Sequence, residues 1–198
     1  RSITMIEEPL YEYDYIGEKD GLSLNVVSVP WRGIAVELEE LHYLQGAQFV
    51  KQLKLITYYG DFHPIEVETD IFSTGGERSE DYTNLLNAAR KAVEHGYKVF
   101  ILPNPKGIRT ADFIFERRGV YKMFDLKTIS GKTSASSRLL ESIGQTNHVV
   151  LNMIANYNPR LLAKDVQFYF ETNKEAREVL IIKGNKFLSV SRQFVEGK

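Results

Sequence analysis

The chain reads as an α/β fold, a mixed central sheet flanked by helices behind a strand-rich N-terminal region, and three features predict it. The first is a helical stretch over residues 79–95, in which Tyr82, Leu85, Leu86, Ala89, Ala92 and Val93 recur at the spacing of one helix face. The second is a set of three short runs rich in β-branched and aromatic residues, at 98–102, 111–116 and 121–127. The third is a helix near 138–145 with another strand after it at 148–153.

Each element has a local reason. Ser79 suits a helix N-cap, Glu80 and Asp81 favour the positive end of the helix dipole, and Gly96 supplies the residue that stops the helix. The second and third runs face each other across Arg117-Arg118-Gly119, a hairpin turn. Residues 128–137 are rich in Ser, Thr and Gly and read as a loop. Pro159 is placed to open a helix through the Asp165 region, and 179–182 and 187–190 flank the turn Gly184-Asn185. Upstream, the first seventy residues read as irregular and strand-rich. There 22–29 alternates loosely until Pro30, and 34–44 fits either a strand or a short helix. The loop Ser73-Thr74-Gly75-Gly76 predicts a division between an N-terminal region, 1–72, and the remainder, 73–198.

Composition narrows the chemistry. With 198 residues and 43% apolar content the chain can bury a full core. No apolar run approaches the roughly 20 residues that span a bilayer, so no membrane partner is expected. The absence of cysteine excludes disulfides, thiolate metal sites and a cysteine nucleophile, which leaves oxygen or histidine as metal ligands. The net charge of -1 hides a gradient. Residues 1–50 carry nine acidic side chains against three basic ones, whereas residues 106–138 carry eight basic against three acidic. The basic stretch surrounds Asp112 and Asp125, as a site that attracts phosphate and holds a cation would require.

Asp112 falls at the end of the second run, and Asp125 and Lys127, two apart on the third, project from one face of it. Both carboxylates sit among apolar residues, Phe113-Ile114-Phe115 and Tyr121-Lys122-Met123-Phe124, where an unpaired charge is costly. Two carboxylates on neighbouring strands with a lysine beside them fit metal-assisted phosphodiester hydrolysis. Carboxylates hold hard cations, and a lysine orients the attacking water or stabilises charge at phosphorus. A structural ion pair between Lys127 and one aspartate is the competing reading.

The order helix, strand, Asp112, hairpin, Asp125-Leu126-Lys127, helix, strand resembles the PD-(D/E)XK nuclease superfamily and its restriction-endonuclease-like core, over residues 79–153. Within it, Gly96-Tyr97-Lys98-Val99, Thr110-Ala111-Asp112, Phe124-Asp125-Leu126-Lys127 and Gln145-Thr146-Asn147-His148-Val149-Val150-Leu151 are similar to the C-terminal tRNase domains of contact-dependent growth inhibition and related polymorphic toxins. The resemblance implies that Glu80, or Asp81 from its better position on the helical wheel, completes a metal site with Asp112 and Asp125, magnesium first and manganese or zinc as alternatives. It also implies that Gln145 approaches the substrate phosphate or Lys127. His148, Thr128, Ser130 and Lys132 are further candidates for substrate contact. The implied partners are a nucleic acid, RNA ahead of DNA, and a cognate immunity protein. Such an enzyme acts in the cytoplasm, that of a target cell if it is a delivered toxin. A DNA nuclease of repair, resolvase or restriction type, and a non-catalytic nuclease-fold domain of a phage or mobile element, are the alternatives.

Overall fold

The computed structural model describes residues 18–19, 22–23, 46–60, 62–65, 67–74, 82–102, 111–131, 134–143 and 147–195. β1 (Glu18–Lys19) and β2 (Leu22–Ser23) form a two-stranded antiparallel sheet of their own. Helix α1 (Gly46–Tyr59) follows, then β3 (His63–Ile65), β4 (Glu68–Ser73), α2 (Tyr82–Glu94), β5 (Lys98–Ile101), β6 (Phe113–Arg117) and β7 (Val120–Ile129). The chain continues through α3 (Ala135–Glu141), β8 (His148–Met153), α4 (Pro159–Thr172), β9 (Glu178–Lys183), β10 (Lys186–Ser191) and α5 (Arg192–Val195).

Strands β3 to β10 form one mixed sheet in the order β10-β9-β8-β7-β6-β5-β4-β3. Strands β7, β8 and β9 are mutually parallel, β4 is parallel to β5, and the other neighbours are antiparallel. The run Val149 to Met153, apolar except for Asn152, lies in the parallel part and is buried throughout, as a strand covered on both faces must be. One face carries Phe113, Phe115, Phe124, Leu126, Val150, Leu180 and Ile182, against which α2 lays Leu85, Ala88, Ala89 and Ala92. Three alanines at that contact let the helix backbone approach the sheet closely. The other face carries Ile129, Val149, Leu151, Met153 and Val179, packed under Ala135 and Leu139 of α3 and Val166, Tyr169 and Phe170 of α4.

The predicted order from residue 79, helix, three strands, helix, strand and then helix and hairpin, is the observed one. The hairpin between β6 and β7 turns on Arg118 (φ 55°) and Gly119 (φ 79°), left-handed at both central positions, and that conformation matches the twist of the flanking strands. Gly96 (φ 90°) ends α2. Asn158 caps α4, its side chain accepting from the N–H groups of Arg160 and Leu161 at 2.8 and 3.2 Å, with Pro159 in the first turn.

Four expectations need correction. Residues 46–59, read as part of a strand-rich region, are helical. Their sequence mixes helix formers such as Ala47, Gln48, Lys51 and Lys54 with β-branched and aromatic residues, and Leu53, Leu55 and Ile56 are buried. Thr128 and Ile129 belong to β7 rather than to a loop, because each has a register partner in β8. The helix expected at 138–145 starts at Ala135, since Ser134 caps it by accepting from the Ser137 N–H, and it ends at Glu141. The division expected at 72/73 falls at the end of β4, which is hydrogen-bonded to β5, so the sheet continues across it. Ser79 and Gly75-Gly76 lie outside the described residues.

The C-terminal end of α4 is held by Arg192, which donates from Nε to Ala176 O at 2.9 Å and from Nη2 to Phe170 O at 2.8 Å and to Asn173 O. A cation on carbonyls at and just beyond a helix C-terminus complements the dipole, and hydrogen bonds to a charged group are worth more than neutral ones. Arg192→Ala is expected to lower unfolding free energy by about 3 kcal/mol in urea denaturation, with Arg192→Lys recovering only part of it.

Candidate functional site

Asp112 lies one residue before β6, not at the end of a strand as expected, and its backbone still bridges two neighbours. Its N–H donates to Phe124 O at 3.0 Å and its carbonyl accepts from Leu102 N at 2.9 Å. These bonds carry Asp112 into line with Asp125, the residue after Phe124 on β7. The side chain is then locked by a third contact, the Leu126 N–H donating to Oδ2 at 2.8 Å.

Alternation along β7 does the rest. Phe124 and Leu126 enter the core under α2, so Asp125, Lys127 and Ile129 project from the opposite face, beneath α3 and α4. Asp125 is 2% exposed and Lys127 13%, with Nζ 3.2 Å from Asp125 Oδ2. The Asp112 and Asp125 carboxyl groups lie within hydrogen-bonding reach of each other. Burial first, then the Asp125 charge and that hydrogen bond, hold the Asp112 carboxyl well above the usual carboxylate range, against the opposing pull of the Leu126 N–H and Lys127. Tyr169 of α4 backs the same face as a fully buried ring. Burial raises its hydroxyl pKa, the Asp125 charge adding to that, while Ser142 and Asn173 act in the other direction.

Three sequence candidates, Asp112, Asp125 and Lys127, are thus brought together. Glu80, Asp81, Gln145 and Lys132 lie outside the described residues. His148 and Thr128 are on the other face of the sheet. His148 follows the Phe124 row, its ring 5.2 Å from that of Phe124 and its Nδ1 3.3 Å from Glu178. Thr128 faces the side opposite Lys127, and Ser130 is exposed just beyond β7. The described part of the basic stretch also disperses. Arg117 and Arg118 go to the hairpin turn, Lys122 pairs with Glu178 at 2.8 Å on the other face, and Arg138 pairs with Glu141 at 2.6 Å. Among the described residues Lys127 is the cation that acts on Asp112. A hairpin sends its turn residues away from its open end, which a count along the sequence does not register.

Among the described residues no three His, Asp or Glu side chains converge as a metal cage. Asp112 and Asp125 are the donors on offer, and their chemistry suits a hard divalent cation. Two oxygen ligands, buried together at a cost in like-charge repulsion, gain from a positive charge between them, and magnesium ordinarily takes one or two carboxylates with water and phosphate completing its shell. Sequence reasoning missed Tyr169. It sits at a position whose spacing assigns it to the core, and position is the only signal the sequence carries for it.

No protein-family model matches the chain, and no curated protein matches it. Among solved structures it is similar to the CdiA-CT/CdiI toxin and immunity complex from Burkholderia pseudomallei, with 16% identity and a TM-score of 0.41, over 60% of this chain and 98% of that chain.

Proposed function

We propose that the protein is a metal-dependent endonuclease that hydrolyses phosphodiester bonds in RNA, transfer RNA first. The observation that carries this reading is the convergence of Asp112, Asp125 and Lys127 on one face of the sheet, with Lys127 Nζ 3.2 Å from Asp125 Oδ2. A structural ion pair needs one carboxylate for one lysine. A second buried carboxylate, fixed by a main-chain N–H and raised well above its usual pKa, adds a cost that folding alone does not reward.

A magnesium-type cation held by Asp112 and Asp125 would polarise the phosphoryl oxygen and acidify a water. The Leu126 N–H keeps Asp112 from rotating out of the site, and Lys127 does the same for Asp125. The Lys127 ammonium, two residues on from Asp125 and on the same face, donates to the phosphoryl oxygen as negative charge grows there, or orients the attacking water. The packing of Tyr169 and α4 behind the carboxylates excludes bulk water from that side and strengthens each of these interactions.

RNA is chosen over DNA on the sequence resemblance of the 96–151 motifs to toxin tRNase domains. The same resemblance supports the remainder of the proposal, a toxin restrained by an immunity protein and acting in the cytoplasm of the cell it enters. The test incubates total bacterial RNA and plasmid DNA with the wild type and with Asp125→Ala, each with magnesium, manganese, zinc or chelator. Loss of intact transfer RNA with wild type and metal alone supports the proposal. Cutting of plasmid instead transfers the site to a DNA nuclease, and no cutting with any metal leaves Lys127–Asp125 as a structural pair.

A further inference from the structure

The face of β7 that carries Asp125 and Lys127 lies between two helical layers. Tyr121 and Met123 alternate onto that same face, because Phe124 and Leu126 point into the opposite core. Helices α3 and α4 cover one side of it, over Ile129, Val149, Leu151 and Val179. The other side belongs to α1 and the turn after it. Helix α1 packs against β7, and the side chain of its Thr57 is hydrogen-bonded to the Tyr121 hydroxyl. Cross-strand register puts Ile114 and Phe100 on the Met123 side, and there the Phe62 ring meets that of Phe100 edge-on at 5.3 Å. A helix expected from the sequence to belong to a separate N-terminal region is thus one wall of the candidate site.

That wall is basic. Helix α1 holds Lys51 and Lys54 and no acidic residue, although the fifty residues before Lys51 carry nine acidic side chains against three basic. Lys51, Lys54 and Thr57 fall at i, i+3 and i+6, one ridge of the helix. Lys51 is exposed, Lys54 is half-buried and Thr57 touches Tyr121, so the ridge climbs from β7 out to solvent. Both ammonium groups therefore stand on the flank of α1 that overlooks β7. Among the described residues neither has an ion-pair partner, whereas Arg90, Lys122 and Arg138 are each held by a glutamate. Uncompensated cations beside a cleft draw in a polyanion. Tyr121 is four residues from Asp125, about 13 Å along an extended strand, which a polynucleotide spans in a few nucleotides.

We infer that Lys51 and Lys54 hold the phosphodiester backbone of the substrate a few nucleotides from the scissile bond, so that α1 supplies binding while Asp112, Asp125 and Lys127 supply the chemistry. This rests on the nuclease reading, and the test separates the two. Binding of a fluorescein-labelled single-stranded RNA, and of DNA of the same sequence, is followed by anisotropy with chelator present over a range of potassium chloride concentrations. Each phosphate contact contributes about 0.7 to the slope of log K against log salt for a single strand. Lys51→Gln and Lys54→Gln should each reduce the slope by about that amount, weaken binding alike for every sequence and, with magnesium, raise KM while kcat is unchanged. Lys91→Gln, on α2 across the sheet, should keep the wild-type slope. Glutamine keeps the helix propensity of lysine and removes the charge, so all three variants should melt as the wild type does. A wild-type slope in both Lys51→Gln and Lys54→Gln, an equal reduction in Lys91→Gln, or a wild type that binds neither oligonucleotide overturns the inference. Cleavage by Lys51→Gln and Lys54→Gln at the wild-type KM overturns it and leaves the nuclease reading standing. A slope that depends on the two lysines, in a protein that cuts neither polymer, upholds the backbone contact and overturns the cleavage reading alone. The same dependence with the DNA strand only upholds the contact and assigns it to DNA.

Discussion

Asp125→Asn and Lys127→Ala are each expected to slow RNA cleavage by about 10²- to 10³-fold or more at saturating substrate, the cost of removing one preorganised charge from a phosphoryl-transfer site. Because both groups act through one contact, 3.2 Å long, the double variant should lose little beyond the more damaging single one. A magnesium titration of melting temperature separates chemistry from folding. A cation bound only by the folded protein stabilises it by about 2.7 kcal/mol at a hundred times its dissociation constant, so the wild type should melt higher with magnesium. Asp112→Asn should lose that response. Its carboxamide oxygen can still accept from the Leu126 N–H, and it no longer sets two carboxylates against each other, so without metal this variant is expected to melt above the wild type at neutral pH. A magnesium response of wild-type size in Asp112→Asn, or cleavage by Lys127→Ala at the wild-type rate, would overturn the assignment.

The second large effect lies on the other face of the sheet. Glu178 is 6% exposed, and its carboxylate receives Lys122 Nζ at 2.8 Å and Ser189 Oγ, with His148 Nδ1 at 3.3 Å. Burial alone would raise its pKa, but the contacts with His148, Lys122 and Ser189, together with the Lys122 charge, outweigh burial and bring it from 4.5 to about 2. A carboxyl whose pKa is lowered by folding contributes stability that is fully present above its unfolded value. Here that contribution amounts to about 3 kcal/mol at neutral pH, and it is lost as pH falls from 4.5 toward 2. Glu178→Gln should therefore be less stable than the wild type by about that amount at pH 7, and the difference should shrink across this window. Denaturant unfolding of both proteins at pH 7, 5, 4 and 3 measures it. A difference that stays constant with pH would mean that the cluster contributes by packing rather than by charge. The cluster ties β7, β8, β9 and β10 together at one end, with His148 as its contribution from β8.

The legible parts of the fold were those set by nearest neighbours in sequence. Strand β8 was readable because its apolar run is bounded and short. The α2–β5 connection was readable because Gly96 alone can take φ 90° without strain, and α4 because a capping Asn158 precedes Pro159. Helix α1 was not readable. Its local preferences are mixed, and the packing that holds it involves residues far along the chain, such as Tyr121, whose hydroxyl reaches Thr57. The candidate site divides in the same way. The spacing of Asp125 and Lys127 guaranteed a shared face once β7 was a strand, whereas the approach of Asp112 depended on main-chain bonds to Phe124 and Leu102.

By itself the sequence determined the element order from residue 82 onward, the hairpin at Arg118-Gly119 and the presence of two carboxylates and a lysine on neighbouring strands, because periodicity and turn chemistry act over a few residues. Only the tertiary structure decided which polar residues meet. It put Asp112 against Asp125, turned His148 and Thr128 to the opposite face, dispersed the described part of the basic stretch, and set Thr128 beside Asn152 across parallel strands separated by a helix. The reason is that side chains alternate sides along every strand, so a register fixed by distant hydrogen bonds and by apolar burial assigns each polar group its face and its neighbours.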